Sequence, residues 1–268
     1  MKSIFFKLSS IGIMCFAVIL TSCSQEDEPI TRLESNLPFF NKINVAQNIT
    51  VKIRNGAQRV EITGDGNLED VVVQVANDGL NVYNRDPSQE SNVVANIWLD
   101  NLEQLICREN SLTRFPENFT SSSNVLTILG RNTASIRMEQ LITIDSLYFG
   151  LRDASHMAVA DLQSGEVVGD LRNTTRCNME GFATNLNLVM TDDSKFNLDF
   201  PDASLPLSVP IQAENYFVTA RNGAAAWVYP INLLNAEISD GSIIYYKGIP
   251  SSIERDLSNG GQLLSKEE

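Results

Sequence analysis

The sequence predicts an all-β chain wound as a parallel β-helix, a β-solenoid with coils of about 20 residues. Three observations carry this. No stretch of the body shows helical periodicity, whereas alternation of apolar and polar residues recurs along it. The segments "LTILGRNTASIRM", "LYFGLRDASHMAV", "VVGDLRNTTRCNM", "LNLVMTDDSKFNL" and "LNAEISDGSIIYY", starting at 126, 147, 167, 186 and 234, lie over one another without gaps. Each copy then repeats the same columns: an apolar position, an Asx residue in a turn, a small residue, and a strand with two inward positions. One such coil cannot bury its inward face alone, but coils stacked about 4.8 Å apart make a continuous apolar core.

Taken in chain order, Lys2 and Lys7 precede the apolar run "IGIMCFAVIL", which ends at Leu20. A bilayer span needs about 20 apolar residues, so the run is too short to be one. A basic start, a short apolar middle and small residues before a cut site predict an export signal over residues 1–22. Leu20-Thr21-Ser22-Cys23 resembles the lipobox of bacterial lipoproteins, which implies acylation of Cys23 as the first residue of the mature chain. The competing reading is an ordinary secretory signal with a chance cysteine. Acyl chains contribute about 0.8 kcal/mol per buried CH₂, so several together anchor stably. "SQEDE" resembles the acidic export signal of Bacteroidetes surface lipoproteins, with Glu26, Asp27 and Glu28 as its acids. Residues 23–37 are acid-rich and contain proline, which predicts a flexible tether.

The domain follows over residues 38–268. "INVAQNITVKI" at 43–53, "VEIT" at 60–63 and "VVVQV" at 71–75 read as strands, with "TGDGN" and "NDG" as turns. From residue 105 the repeat takes over, with "CRENSLTRF" at 107 as a weaker first copy. The apolar column is Leu126, Leu147, Val167, Leu186 and Leu234; the turn column is Asn132, Asp153, Asn173, Asp192 and Asp240. The small column is Ala134, Ser155, Thr175, Ser194 and Ser242. The inward pairs are Ile136/Met138, Met157/Val159, Cys177/Met179, Phe196/Leu198 and Ile244/Tyr246. "FVTARNGAAAWVY" at 217 fits with one extra residue, placing Asn222 in the turn and Trp227/Tyr229 inside. The segment 201–215, "PDASLPLSVPIQAEN", breaks the period, and its three prolines predict an inserted loop.

"LNAEISDGSIIYYKGIP" resembles the closing motif of the DUF2807 family, the "putative auto-transporter adhesin head GIN domain", through Tyr246, Gly248 and Pro250. The opening strands "FNKINVAQNITVKI", "VEITGDGNLEDVVVQVANDGLNVY" and "NIWLDNLEQLICRENS" are similar to that family as well. Its Ser-Gly-Ser corners stand here as "DAS", "NTT" and "DDS", which keeps the small-residue column. The resemblance covers roughly residues 39 to 265. It implies a right-handed parallel β-helix on the cell surface of a Bacteroidetes bacterium, and brings no catalytic residues with it.

Charge and chemistry narrow the function classes. The net charge is −13, and loss of residues 1–22 removes Lys2, Lys7 and no acid, giving −15. With that balance no basic stripe of the kind a phosphate backbone requires is expected, and no nucleic-acid partner. The lone His156 should face outward beside Met157, and no Cys/His spacing suits zinc. "GDGNLED" at 64–70 lacks the spacing and distal Glu of an EF-hand, so it reads as a hairpin turn. No catalytic residue, metal site or cofactor is expected. Asn132, Asp153, Asn173, Asp192, Asn222 and Asp240 should stack as a structural turn column, the alternatives being a cation site or the acid pair of a glycoside-cleaving enzyme. Cys107 and Cys177 fall in different columns three coils apart, roughly 14 Å at the strand spacing, whereas a disulfide needs about 7 Å or less between Cα atoms. Both should be free and buried.

Two functions remain. One is a non-enzymatic adhesion module at the cell outer membrane, lipid-anchored, surface-exposed and binding a host or cell-surface glycan or protein. The other is a polysaccharide-active β-helix enzyme, a lyase or hydrolase.

Overall fold

The computed structural model describes residues 30–34, 36–64, 68–86, 93–198 and 209–266. Cys23, Glu26, Asp27, Glu28 and residues 201–208 of the inserted segment lie outside them. The strands in chain order begin with β1 (Ile30–Glu34), β2 (Lys42–Ala46), β3 (Thr50–Arg54) and β4 (Arg59–Gly64). After a short 3-10 turn at Leu68–Asp70 come β5 (Val71–Ala76), β6 (Gly79–Asn84) and β7 (Val94–Trp98). Then follow β8 (Gln104–Cys107), β9 (Leu112–Phe115), β10 (Phe119–Thr120) and β11 (Val125–Gly130). Three long strands fill the centre: β12 (Ser135–Leu151), β13 (His156–Leu171) and β14 (Arg176–Met190). The chain closes with β15 (Lys195–Phe196), β16 (Gln212–Ala220), β17 (Ala225–Ile238), β18 (Ile243–Tyr246), β19 (Ser252–Leu257) and β20 (Gln262–Ser265).

These strands form a β-solenoid of about 7 turns with coils of about 20 residues. Each coil has three sides, seen in β12 pairing parallel with β13 over Ser135–Met138, Leu141–Ile144 and Ser146–Leu151. Pairing stays in register: Thr113, Ile136, Met157, Cys177, Phe196, Ala226, Ile244 and Leu263 occupy one inward column of the first side. Cys107, Gly130, Leu151, Leu171, Met190, Ala220 and Ile238 occupy one on the third side. Alternation at period two sends these side chains inward, and all but Leu263 are buried.

Volume is conserved down each column by mixing sizes. Gly169 takes an inward position beneath Phe149, and a Cβ there would strike the phenylalanine ring. Phe196 lies between Cys177 and Ala226. The expected pair Trp227/Tyr229 is corrected here: Ala226 and Val228 point inward and are buried, while Trp227 and Tyr229 face out. No extra residue exists in that coil, because Asn222 and Ala224 keep the usual offsets and small Ala226 makes room beside Phe196. Leu198 also misses its column. Asn197 turns to φ 54°, and its side chain accepts from the Met179 N–H at 2.7 Å, which ends β15 at Phe196.

The inserted segment rejoins the wall earlier than its length suggests, since β16 starts at Gln212. Ile211 is buried, and the buried Tyr216 hydroxyl donates to its carbonyl at 2.5 Å.

At the N-terminal end the chain does not wind in sequence order. β2 sits between β6 and β8, and β3 between β7 and β9. The chain lays down β2 and β3, travels out through β4–β7 to build the rung beneath them, and returns above with β8 and β9. Antiparallel strands finish this end: β5 on β6, and β1–β4–β7. The flexible tether expected over residues 23–37 is corrected at Ile30–Glu34, which form a paired strand of the cap. Arg32 fixes it, donating to the carbonyls of Leu68 and Val71 (2.8 Å to Val71) and pairing with Glu34 at 2.7 Å.

Candidate functional site

Each coil passes to the next through a four-residue turn whose two central residues have positive φ. Examples are Asn132/Thr133 at 51° and 64°, Asp153/Ala154 at 56° and 59°, and Asp192/Asp193 at 57° and 59°. The N–H of the fourth residue closes the turn onto the carbonyl of the first, as in Ser155 to Arg152 at 3.2 Å. This is a type I′ turn, which explains Asn and Asp at its second position. The third residue's N–H then reaches the next coil: Thr133 to Asp153 at 3.0 Å, Ala154 to Asn173 at 3.1 Å, Thr174 to Asp192 at 2.9 Å. Asn132, Asp153, Asn173, Asp192, Asn222 and Asp240 are thus brought into one column, and Asn259 extends it.

The column alternates amide with carboxylate. Asn173 donates to Asp153 at 2.9 Å, Asn222 to Asp192 at 3.0 Å and Asn259 to Asp240 at 3.0 Å. No carboxylate of the column has another as its immediate neighbour, so no pair of acids converges along it. Asp192 is held below the ordinary carboxylate range by hydrogen bonds from Thr191 and Asn222, and Asp240 likewise by Ser239 and Asn259. Among the described residues no group of three or more His, Cys, Asp or Glu is placed to hold a metal ion.

A second column went unread in the sequence. The residue before the Asx is Arg131, Arg152 and Arg172 in three successive coils and Arg221 later, and Arg108 stands at the same turn position one coil earlier, before Glu109. The signal is present in "GRNTA", "LRDAS", "LRNTT" and "ARNGA", one column to the left of the Asx, and in "CRENS", where Glu109 takes the Asx position. The expectation of no basic stripe is corrected here: the row is one, though it is a single residue wide and breaks at Thr191. Asp170 accepts from Arg172 at 2.7 Å and lies 3.8 Å from Arg152. Arg108 and Arg131 have no ion pair among the described residues.

Beside the arginines the outer face of the third side carries a groove of about 220 Å³. Gly150 faces outward at its floor, and the missing side chain opens the space between Leu129 and Asp170, its neighbours in the stack. Arg131 and Arg152 form the turn-side rim, and Tyr148 the far wall, 37% exposed. The Tyr148 hydroxyl lies 3.2 Å from Glu166, whose charge raises the phenol's pKa. A flat ring beside guanidinium groups can stack on an apolar ligand face and hold an anion at the same time.

His156 lies outward on the first side between Ser135 and Arg176, half-buried. Partial burial and then Arg176 lower its pKa. Cys107 and Cys177 are free and buried in the two columns assigned to them. Burial pushes the Cys107 thiol up to about 12 and raises Cys177 further, so both are inert at neutral pH.

The family model of DUF2807, "Putative auto-transporter adhesin, head GIN domain", matches residues 39–250. The chain belongs to this family. Solved structures of similar shape include a "putative adhesin" from Parabacteroides merdae, 15% identical with a TM-score of 0.74. Others are a "putative adhesin" and a "Putative lipid binding protein" from Parabacteroides distasonis, each 14% identical, with TM-scores of 0.78 and 0.76. Each alignment covers 90% of this chain and 98% of the other. At this identity the likeness is one of fold. No curated protein is a significant match.

Proposed function

We propose that this DUF2807 member is a non-catalytic binding module of the cell surface, anchored in the outer membrane by lipid on Cys23 and exported through Glu26, Asp27 and Glu28. The observation that carries the binding role is the groove at Gly150. It opens to solvent, offers a ring and guanidinium groups, and its one carboxylate, Asp170, is engaged by Arg172 and faced by Arg152. The lining holds no second carboxylate, so it lacks the acid pair that a glycoside-cleaving enzyme uses. The names of the similar structures agree with an adhesive or binding role. Six residues lie between Cys23 and Ile30, a maximum reach of roughly 25 Å, so a lipid there keeps the cap close to the membrane.

A glycan and protein array probed with residues 24–268, run beside a depolymerisation assay on the same polysaccharides, tests the role. Saturable binding without chain cleavage is expected. Cleavage of any polysaccharide would establish the lyase or hydrolase alternative instead. Separately, Cys23→Ala should release the protein from the detergent phase, and unchanged partitioning would refute the anchor.

A further inference from the structure

We propose that the arginine row and the Tyr148 groove form a subsite for an acidic polysaccharide, one whose sugars carry carboxylates. This deepens the binding role above and rests on it. Arg108, Arg131, Arg152 and Arg172 stand at the same turn position in four consecutive coils, so their spacing is that of stacked strands, about 4.8 Å. That repeat is close to the rise of one sugar in an extended pyranose chain. A chain lying parallel to the solenoid axis therefore meets one guanidinium for roughly every sugar.

The charge balance along the row selects the ligand. Arg152 and Arg172 share Asp170, whereas Arg108 and Arg131 lack an ion pair among the described residues. Two guanidinium forks are thus left open at one end of the row, and a carboxylate satisfies such a fork with two parallel hydrogen bonds. Asp153, Asp170 and Glu166 flank the row and limit how much negative charge it accepts. A nucleic acid, with a phosphate on every unit and a net-negative protein behind the site, is disfavoured. Carboxylates spaced along a sugar chain are tolerated. Tyr148 supplies what a bare row of arginines lacks: an exposed ring, over the floor at Gly150, on which the C–H face of a pyranose can stack.

The test is titration of residues 24–268 with oligogalacturonate, with neutral dextran and single-stranded DNA as comparison ligands, at low and at physiological salt. Oligogalacturonate should bind, and more weakly at the higher salt. Arg131→Ala and Tyr148→Ala should each weaken it roughly tenfold, the loss expected of one charged hydrogen-bonded contact or one stacked ring. Arg131→Lys should recover only part, since an ammonium cannot reproduce the fork. Both side chains are solvent-facing, so an unchanged thermal midpoint shows that the variants are folded. Equal binding of dextran or DNA, or oligogalacturonate binding indifferent to Arg131→Ala, would overturn the subsite. If the array meanwhile finds a neutral glycan or a protein whose binding ignores Arg131→Ala, the subsite falls and the binding module stands. Silence across the whole array removes both.

Discussion

The two ends of the solenoid are finished differently. At the N-terminal end, antiparallel β1, β4 and β5 close the last rung, and Arg32 ties β1 to the carbonyls of Leu68 and Val71. At the other end the last coil, β19 and β20, keeps the parallel winding and, among the described residues, has a neighbour on one side alone. All six residues of β19 are exposed, although Ile253, Arg255 and Leu257 continue the inward columns of Leu234, Ala236 and Ile238. The N-terminal end has spent chain on covering its edge; the C-terminal end relies on a charge. Arg255 in an inward position makes that edge unwelcoming to another strand, a recurrent protection against edge-to-edge pairing. Cooperative stability should therefore fall from the capped end towards the open one.

The strongest challenge to that gradient compares inward residues from the two ends. Phe115 is fully buried, with its ring edge-on to Phe119 at 5.1 Å, so Phe115→Ala should cost about 3–5 kcal/mol. Ile253 occupies an inward column at the open end but is 40% exposed, and Ile253→Ala should cost about 0.5 kcal/mol or less. Urea unfolding of the two variants measures the difference; equal losses would abolish the gradient. In the closed middle, Gly169→Val should cost about 1–3 kcal/mol by overpacking against Phe149. A tolerated valine there would show that the central coils pack loosely.

Arg255→Val should change the thermal midpoint little and raise concentration-dependent self-association in sedimentation, because it leaves the open edge apolar. Unaltered sedimentation would deny Arg255 its protective part. The smallest effect is on pH. Asp192 and Asp240 are depressed below 3.8 in the folded state, so each stabilises the native coils above that value. The contribution is lost as pH falls through the lower folded values. Both are fully exposed, so the acid limb of the Tm profile should shift only slightly in Asp192→Asn.

Much of this was legible in the sequence, and the misses have physical causes. The Asx and small-residue columns were visible because a type I′ turn restricts composition at fixed positions, as at Asp153 and Ser155. Cys107 and Cys177 could be placed because register alone decides their columns. Trp227 and Tyr229 were misplaced because that copy was read with one extra residue, which shifts the alternation by one, whereas the turn at Asn222 keeps the ordinary offset to Ala226. The cap was hidden for another reason: β2 pairs with β6 and β8, neither next to it in the chain, and no local pattern encodes that order. The arginine row was in plain view, but exposed positions have no packing requirement to mark them, so only the groove beside Gly150 gives the row a meaning.

The stacking of coils also decides how the molecule responds to force. The hydrogen bonds between one coil and the next run along the solenoid axis, perpendicular to the chain within each coil. A pull applied between the two ends meets those bonds a few at a time, and coils peel away singly, beginning at the uncapped end. A pull applied across the axis must shear many bonds together and is resisted far more strongly. The body is thus anisotropic: it yields when drawn out lengthwise and is rigid when pushed sideways.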